Sequence, residues 1–538
     1  MSAPGPPMAD SKPMSKQGIA AASTILIGAT LLSRLLGFLR EVVIADQFGA
    51  SVRTDAFFVA LTVPVLFTDF IKYSVKNSFI PVFSHYRLKK GDSAAWSFAW
   101  SYTKLMGVGL LLLSLVLFWR SADIVSLIAP GLSQSSQNLA ISLMHLLSFL
   151  VLFLGLASIL ESIYNGFEHF VTPAFAPLAL NLSVILAVLL LTSRLGTSGI
   201  AAGFLLGAVL QALILTKIFR IGRFSLHGKL RLAEPETRRV LSFGFFIALV
   251  HGIWGLYYVL DRMLASSLSD GTISALAFAD RLIQLPVGVF VLAISVAALP
   301  RMSIFAAQKN YRRVEQICGT GLRVLLFVII PVTIFFCITR LPLVRILYQR
   351  GAFDPAATEM TSGPLLTYSL GLAAFAGQIF LLRVYYAFQD MVTPLVTSLL
   401  SLGVKIVLSF LLMKSLGATG IALATSVAAT CNTVLLALWL LKKGHITTIM
   451  GRWRGFEKLI LGWAILGLSS FLAFRYLGDI VLPNQALEDI VRIGGTLVFG
   501  SATYLGVTLV LRAEEAKRIQ RALSAILKAI PTSFKTDA

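Results

Sequence analysis

The sequence predicts an all-α polytopic membrane protein of about fourteen transmembrane helices: two duplicated six-helix lobes followed by two C-terminal helices. Three observations carry this. The first is composition. The 538 residues are 57% hydrophobic and only 13% charged, with a mean hydropathy of +0.83. Soluble domains carry about 25% charged residues, and a core of ordinary size cannot bury so many apolar side chains. A bilayer can, at about 20 residues per crossing. The second is an internal repeat. Val171-Thr172-Pro173 returns as Val392-Thr393-Pro394, Leu195-Gly196 as Leu416-Gly417, and Ser198-Gly199-Ile200-Ala201 as Thr419-Gly420-Ile421-Ala422, at one constant offset. Self-similarity at that length marks a duplicated half, and two parallel halves in an apolar chain point to a transporter with its site between them. The third is the distribution of basic residues, which follows from the order of the spans.

Apolar spans lie near 18–45, 54–84, 95–119, 136–164, 172–193, 197–219, 238–267, 271–302, 314–339, 362–388, 393–414, 418–441, 456–476 and 488–511. Residues 1–17 read as a disordered tail, 18–219 as the N-lobe with spans one to six, and 220–237 as a basic linker. Residues 238–441 form the C-lobe with spans seven to twelve, 456–511 hold spans thirteen and fourteen, and 512–538 are a basic tail. The first apolar stretch has no clear small-residue cleavage site and reads as a retained helix. Two amphipathic pieces stand apart: Leu341 to Gly351 between spans nine and ten, and Ala513 to Ile530, whose basic face suits an anionic membrane surface.

With this count Arg87, Lys89, Lys90, Lys217, Arg220, Arg223, Arg301, Arg312, Arg313, Lys442, Lys443, Lys517 and Arg518 fall on one side of the membrane. The other side has charge-poor turns such as 193–199 and 266–272. The positive-inside rule makes both termini cytoplasmic. The formal net charge of +21 is then loop charge that sets orientation and meets membrane lipids, not a nucleic-acid footprint. Cys318, Cys337 and Cys431 sit in apolar patterns, with neither a disulfide framework nor zinc spacing. No metal or cofactor motif appears. There is also no P-loop, no G-x-S-x-G elbow and no H-E-x-x-H, so a non-enzymatic transporter is expected.

Ionisable residues inside spans are costly and face a cavity or a partner. Span one carries Arg34, Arg40 and Glu41; span two carries Asp55, Asp69, Lys72 and Lys76. Span seven has His251, Asp261 and Arg262, and span eight has Asp280, Arg281 and, one turn on, Gln284. Lys104, Glu161, Arg323, Arg383 and Lys405 are more scattered. An arginine excess in a water-filled cavity favours an anion, because guanidinium stays charged and forms forked bonds to phosphate or carboxylate oxygens. The competing account is mutual neutralisation, with Asp69 and Lys72 at i and i+3 as one such pair and Asp280 holding Arg281. Prolines at 64, 286, 300 and 331 permit kinks in a moving protein but are also common in membrane helices.

Ser33-Arg34-x-x-Gly37-Phe38-x-Arg40-Glu41, Phe48-Gly49-Ala50 and Thr54-Asp55-Ala56-Phe57 resemble the first-helix signature of the MurJ (MviN) family of lipid II flippases. Ala279-Asp280-Arg281-Leu282-x-Gln284-Leu285-Pro286-x-Gly288-Val289 is similar to the family's eighth-helix motif. Leu299-Pro300, Leu347-Tyr348-Gln349-Arg350-Gly351-Ala352-Phe353 and Arg383-x-x-Tyr386-Ala387-x-x-Asp390-x-x-Thr393-Pro394 extend the match in order from about residue 18 to 512. The resemblance implies the MOP exporter superfamily, with two six-helix lobes in a V and a groove for a polyprenyl tail along the last two helices. It implies lipid II, an undecaprenyl diphosphate bearing a disaccharide-pentapeptide, as the substrate moved across the bacterial inner membrane. By motif, Arg34, Arg40 and Arg281 would bind the diphosphate or its anionic headgroup, and Asp55 would gate the cavity or orient an arginine. Glu41, Asp280 and Gln284 would support them, with Lys72 and Arg383 as secondary candidates. Membrane potential or an ion gradient would drive transport, and cell-wall synthesis proteins are expected partners. The alternatives are another polyprenyl-diphosphate-linked glycan, or a small molecule exchanged by an antiporter of the same superfamily.

Two departures stand out. The arginine pair that many members carry after the proline of span two is absent; Pro64 to Lys72 offers only Lys72, one turn later and without the fork of a guanidinium. Lys405 lies where some members place polar sodium ligands, so a sodium site in the second lobe is expected to be absent or altered.

Overall fold

The computed structural model describes residues 16–221, 235–444, 446–447, 456–480 and 482–517, and these are helices and their connections. The N-terminal tail up to 15, the linker from 222 to 234 and the tail beyond 517 lie outside the described residues, and with them most of the expected surface helix at 513–530. The helices are α1 (Lys16–Phe48), α2 (Val52–Trp119), α3 (Ser121–Ile128), α4 (Gln134–Leu147), α5 (Leu150–Gly166), α6 (Val171–Leu195), α7 (Thr197–Leu215) and α8 (Ile218–Ile221). They continue with α9 (Pro235–Ala265), α10 (Thr272–Pro286), α11 (Leu292–Ala307), α12 (Tyr311–Tyr348), α13 (Pro355–Ala387), α14 (Val392–Lys442), α15 (Phe456–Gly478) and α16 (Gln485–Val510).

Among the described residues, 10 helical stretches are long and apolar enough to cross a membrane, or up to 11 when the bent α9 is taken as one span. The fourteen expected spans are compatible with this: two of the stretches each contain a break, and α1, the first expected span, is not among the ten. α2 breaks at Gly91 (φ 79, ψ 173) and α14 at Gly417 (φ 55, ψ −132). The amphipathic piece at 341–351 is not separate from span nine. Its residues up to Tyr348 form the last turns of α12, a helix of 38 residues.

The chain divides into two compact units, and they do not follow the repeat. One holds the residues up to Arg40, Phe67–Trp119 and Met144–Ala248; the other holds Glu41–Leu66, Arg120–Leu143 and the chain from Leu249 on. Thus the end of α1 and the start of α2 pack with the second half of the sequence.

In the first unit the Gly91 break lays the two limbs of α2 against each other. Phe79 stacks on Phe98 (5.8 Å, 5°) and Phe83 (5.1 Å) and leans on Tyr102 (5.0 Å), all of them buried. Offset stacking adds to the area these rings bury. Arg87 closes the same end, bonding Asp92 at 2.6 Å and the Gly166 carbonyl at 3.3 Å. In the second unit, Phe278 of α10 is packed edge-on by Phe58 (5.7 Å) and Phe353 (5.5 Å) and tilted against Tyr348 (5.2 Å). This cluster explains why Tyr348 and Phe353 belong to one sequence motif. α15 and α16 dock on α12: the Tyr504 hydroxyl donates to the Phe327 carbonyl (3.1 Å), Trp463 Nε1 donates to that hydroxyl (3.2 Å), and Arg345 grips buried Asp489 at 3.0 and 3.1 Å.

The duplication is visible in the backbone. Gly196 (φ 54, ψ −138) and Gly417 (φ 55, ψ −132) adopt the same conformation, which an L side chain rarely enters. Four residues before each Val-Thr-Pro stand Phe167 and Phe388, followed by Glu168 (φ 64) and Gln389 (φ 59), both left-handed. In the second copy Asp390 then starts α14. Its carboxylate accepts the Thr393 amide (3.1 Å) and hydroxyl (2.7 Å), and Lys443 donates to it at 2.5 Å. Burial works against the charged carboxyl, but the Lys443 and Thr393 hydrogen bonds outweigh it and hold the group below its ordinary value. A lowered folded value stabilises the protein above the unfolded value of about 3.9, and this contribution is lost as pH falls through the folded value. Asp390→Asn is therefore expected to lower Tm near neutrality and to flatten its fall below pH ~4; an acid limb of unchanged steepness would refute it.

Candidate substrate-translocation site

The candidate charged residues of the first unit sit on α1 and α2, with Glu161 on α5. Arg40 Nη1 donates to Asn181 Oδ1 of α6 (3.1 Å), and its guanidinium lies over the Phe204 ring of α7 (4.9 Å). Asn181 in turn donates to the Ser33 carbonyl (3.1 Å), so one amide fixes both the helix and the arginine. Gly37 faces this amide: a Cβ there would lie 3.7 Å from Asn181 Oδ1, an ordinary contact. Asn181 was not among the sequence-based candidates; a lone amide within an apolar span was the available signal. Arg34 is half-buried on the same helix. Lys72 is exposed one turn from Lys76, whose ammonium lies 3.7 Å from Glu161.

The second unit gathers Glu41, Asp280, Arg281 and Gln284. Glu41 is buried, 3% exposed, and its Oε1 lies 3.4 Å from Arg281 Nε; the arginine side chain is 41% exposed. A carboxylate in the wall thus anchors a cation that still reaches open space. Glu41 forms the ion pair with Arg281, and Asp280 lies within electrostatic range of the same guanidinium. Asp280 accepts long hydrogen bonds from Tyr258 and from Gln284, both 3.4 Å. Directly after this group Pro286 ends α10, and the backbone makes one π-helical turn over Val287–Val291 before α11. Such turns are frequent at functional sites.

Asp55 lies elsewhere in the second unit. The amino end of α10 starts at Gly271 (φ 87), which has no side chain to satisfy the first amides. Asp55, from the first turn of α2, does so across 216 residues: Oδ2 accepts the Gly271 amide, and Oδ1 accepts the Ser274 amide and hydroxyl, all at 2.7 Å. A side chain at Gly271 would run into the Ala50 carbonyl, and one at Gly49 (φ 62) into Ala352. Thr54 beside it donates to the Gly49 carbonyl at 2.8 Å. The words Phe-Gly-Ala and Thr-Asp-Ala-Phe therefore encode a backbone-to-backbone closure. Buried Arg262, which sequence reasoning left off the site, bonds the Ile273 carbonyl (2.8 Å) behind it.

The Arg383 guanidinium lies over the Tyr386 ring (5.8 Å) and within electrostatic range of His251 of α9. Lys405 is wholly buried, its ammonium 2.8 Å from Asp261 Oδ1, 2.9 Å from the Thr425 hydroxyl, 3.2 Å from the Tyr257 carbonyl and over the Tyr257 ring at 4.6 Å. Among the described residues no group of three or more His, Cys, Asp or Glu side chains could hold a metal. A separate recess of ≈ 280 Å³ near Leu268, Thr272, Glu359 and Thr419 includes none of these charges.

The family description "Lipid II flippase MurJ" fits residues 44–484. The chain is 28% identical over 498 residues to the lipid II flippase MurJ of Burkholderia cenocepacia, covering 90% of this chain and 96% of that one. It is 30% identical over 423 residues to the probable lipid II flippase MurJ of Buchnera aphidicola subsp. Acyrthosiphon pisum, covering 76% and 81%. A solved lipid II flippase MurJ in an inward closed conformation superposes with a TM-score of 0.75 at 25% identity, over 91% of this chain and 99% of that one. An inward-facing multidrug transporter of the MATE family, MOP superfamily, shares the fold with a TM-score of 0.66 at 12% identity, over 78% and 98%. The chain belongs to the MurJ lipid II flippase family.

Proposed function

We propose that this chain moves lipid II from the inner to the outer leaflet of the bacterial cytoplasmic membrane by alternating access. The observation that carries the reading is Arg281: an arginine within an apolar span whose side chain is 41% exposed while its Nε is held 3.4 Å from the buried Glu41 carboxylate. A fixed cation of that kind suits a diphosphate, and a guanidinium binds phosphate oxygens in a forked geometry. Arg34 and Arg40, in the first unit, are likewise proposed to bind anionic oxygens of the substrate. Asp55 holds the charge-poor end shut and must release α10 when that end opens. Both termini lie in the cytoplasm by the positive-inside rule. The prenyl tail stays in lipid along α15 and α16, which their bonds to α12 fix in place. Lys405 supplies an internal cation where a bound sodium ion would otherwise sit, and membrane potential or an ion gradient supplies the drive. Cell-wall synthesis proteins complete the expected partners.

Rescue of a bacterium depleted of its own lipid II flippase tests this. The unmodified chain is expected to restore growth, and Arg34→Ala at matched membrane level is expected to fail. Absence of rescue by a well-inserted parent would reject the substrate; rescue by Arg34→Ala would remove that arginine from the site.

A further inference from the structure

α2 carries a polar stripe through its membrane segment. Asp69, Lys72, Tyr73, Lys76 and Asn77 fall at i, i+3, i+4, i+7 and i+8, which is one face of a helix. All five are exposed, while Thr68, Ile71, Val75, Ser78 and Phe79 between them are buried. A lipid-facing helix has the opposite pattern, so this face looks onto water. Snorkelling does not explain it: about 22 Å of helix separates Lys72 from Arg87 at the basic end, at 1.5 Å per residue.

α5 adds Glu161, 3.7 Å from Lys76, with side chains 22% and 52% exposed. Lys72 lies within electrostatic range of both Glu161 and Asp69. The Lys76–Glu161 separation exceeds the 2.7–2.9 Å of a tight charge-assisted bond, so both groups keep capacity for a ligand. The patch therefore presents two ammonium and two carboxylate groups beside a phenol and an amide. Such a surface is poorly made for a diphosphate, because Glu161 and Asp69 would repel it. It is complementary to a ligand that itself carries ammonium and carboxylate groups a few ångströms apart.

We propose that this stripe and Glu161 form the subsite for the peptide portion of the substrate. Ligand ammonium groups meet Glu161 and Asp69, and ligand carboxylates meet Lys72 and Lys76. The inference rests on the lipid II reading and adds to it the residues that select for the peptide. It also gives the substitution of Lys72 for an arginine pair a physical sense: an ammonium on a flexible stem can share a carboxylate with Lys76, whereas a planar fork demands one geometry.

The test uses the full-length protein in nanodiscs and two probes, lipid II and the same lipid lacking its peptide. Glu161→Gln and the pair Lys72→Met with Lys76→Met are expected to weaken lipid II binding about tenfold. Binding of the peptide-free lipid should change less than twofold, which also shows that the variants are folded. Equal losses for both lipids, or no loss for either, would overturn the subsite. An unmodified protein that binds neither lipid would overturn the lipid II reading itself, while one that binds both lipids equally would reject only the subsite.

Discussion

Asp55→Ala is expected to lower stability by about 3 kcal/mol, with rapid hydrogen exchange appearing at the amides of Gly271 and Ser274. The carboxylate accepts three hydrogen bonds at 2.7 Å and is 3% exposed. Bonds to a charged group contribute about 1.5–3 kcal/mol each, and amides left buried without a partner add a desolvation cost. The full sum is not reached, because water can enter once the side chain is shortened. Ser274→Ala removes only the hydroxyl bond and should cost about 1 kcal/mol, which gives the series a built-in gradation. The location makes the effect functional as well as structural. Asp55 comes from the first repeat and α10 from the second, and the proposed alternating access requires this contact to be released in one half of the cycle. A loss of about 3 kcal/mol from the closed form shifts that equilibrium by about two orders of magnitude, since about 1.4 kcal/mol is a factor of ten. Asp55→Ala should therefore fail to support growth of a flippase-depleted strain even at full membrane level. Unchanged exchange at Gly271 and Ser274 would show that the α10 amides are satisfied without Asp55.

The sequence exposes the membrane class, the duplication and the charged candidates, because each is a one-dimensional signal: hydropathy, a fixed offset, and a costly residue type in an apolar run. The matching backbone angles at Gly196 and Gly417 follow directly from the repeat. What it does not expose is partnership across long separations. Glu41 and Arg281 are 240 positions apart, and Asp55 meets residues 216 and 219 positions away. Helix periodicity places Arg34 and Glu41 on a shared face, yet they belong to different compact units. Asp280, adjacent to Arg281 in sequence, lies within electrostatic range of it, but adjacent residues on a helix diverge by about 100°, and the ion pair itself comes from Glu41. Asn181 escaped notice because an amide carries no charge, and its value lies in bonding the Ser33 carbonyl and Arg40 at once. Arg383 lies over Tyr386 of its own motif and also within electrostatic range of His251 on α9, a neighbour that the motif does not reveal.

The double substitution Glu41→Gln with Arg281→Met is expected to give a stable protein that does not transport. Arg281→Ala alone cannot separate structure from function. It removes the cation beside a carboxylate that is 3% exposed, and breaking a buried pair from one side costs about 3–5 kcal/mol. The partial exposure of Arg281 places this case at the lower end, about 3 kcal/mol, read as a fall in Tm. Replacing both partners removes the charge that needed compensation, and buried pairs exchanged for neutral groups of similar volume are often neutral or better. The double variant should thus recover to within about 1 kcal/mol of the parent. Its activity then decides the role of the guanidinium. If Arg281 serves only to neutralise Glu41, the double variant rescues growth along with stability. If the exposed face of Arg281 binds the diphosphate, stability returns and growth does not. Arg281→Lys sharpens the distinction, because it keeps the charge next to Glu41 while losing the fork. It should be nearly as stable as the parent and still transport poorly, and its headgroup affinity should fall without any change in Tm.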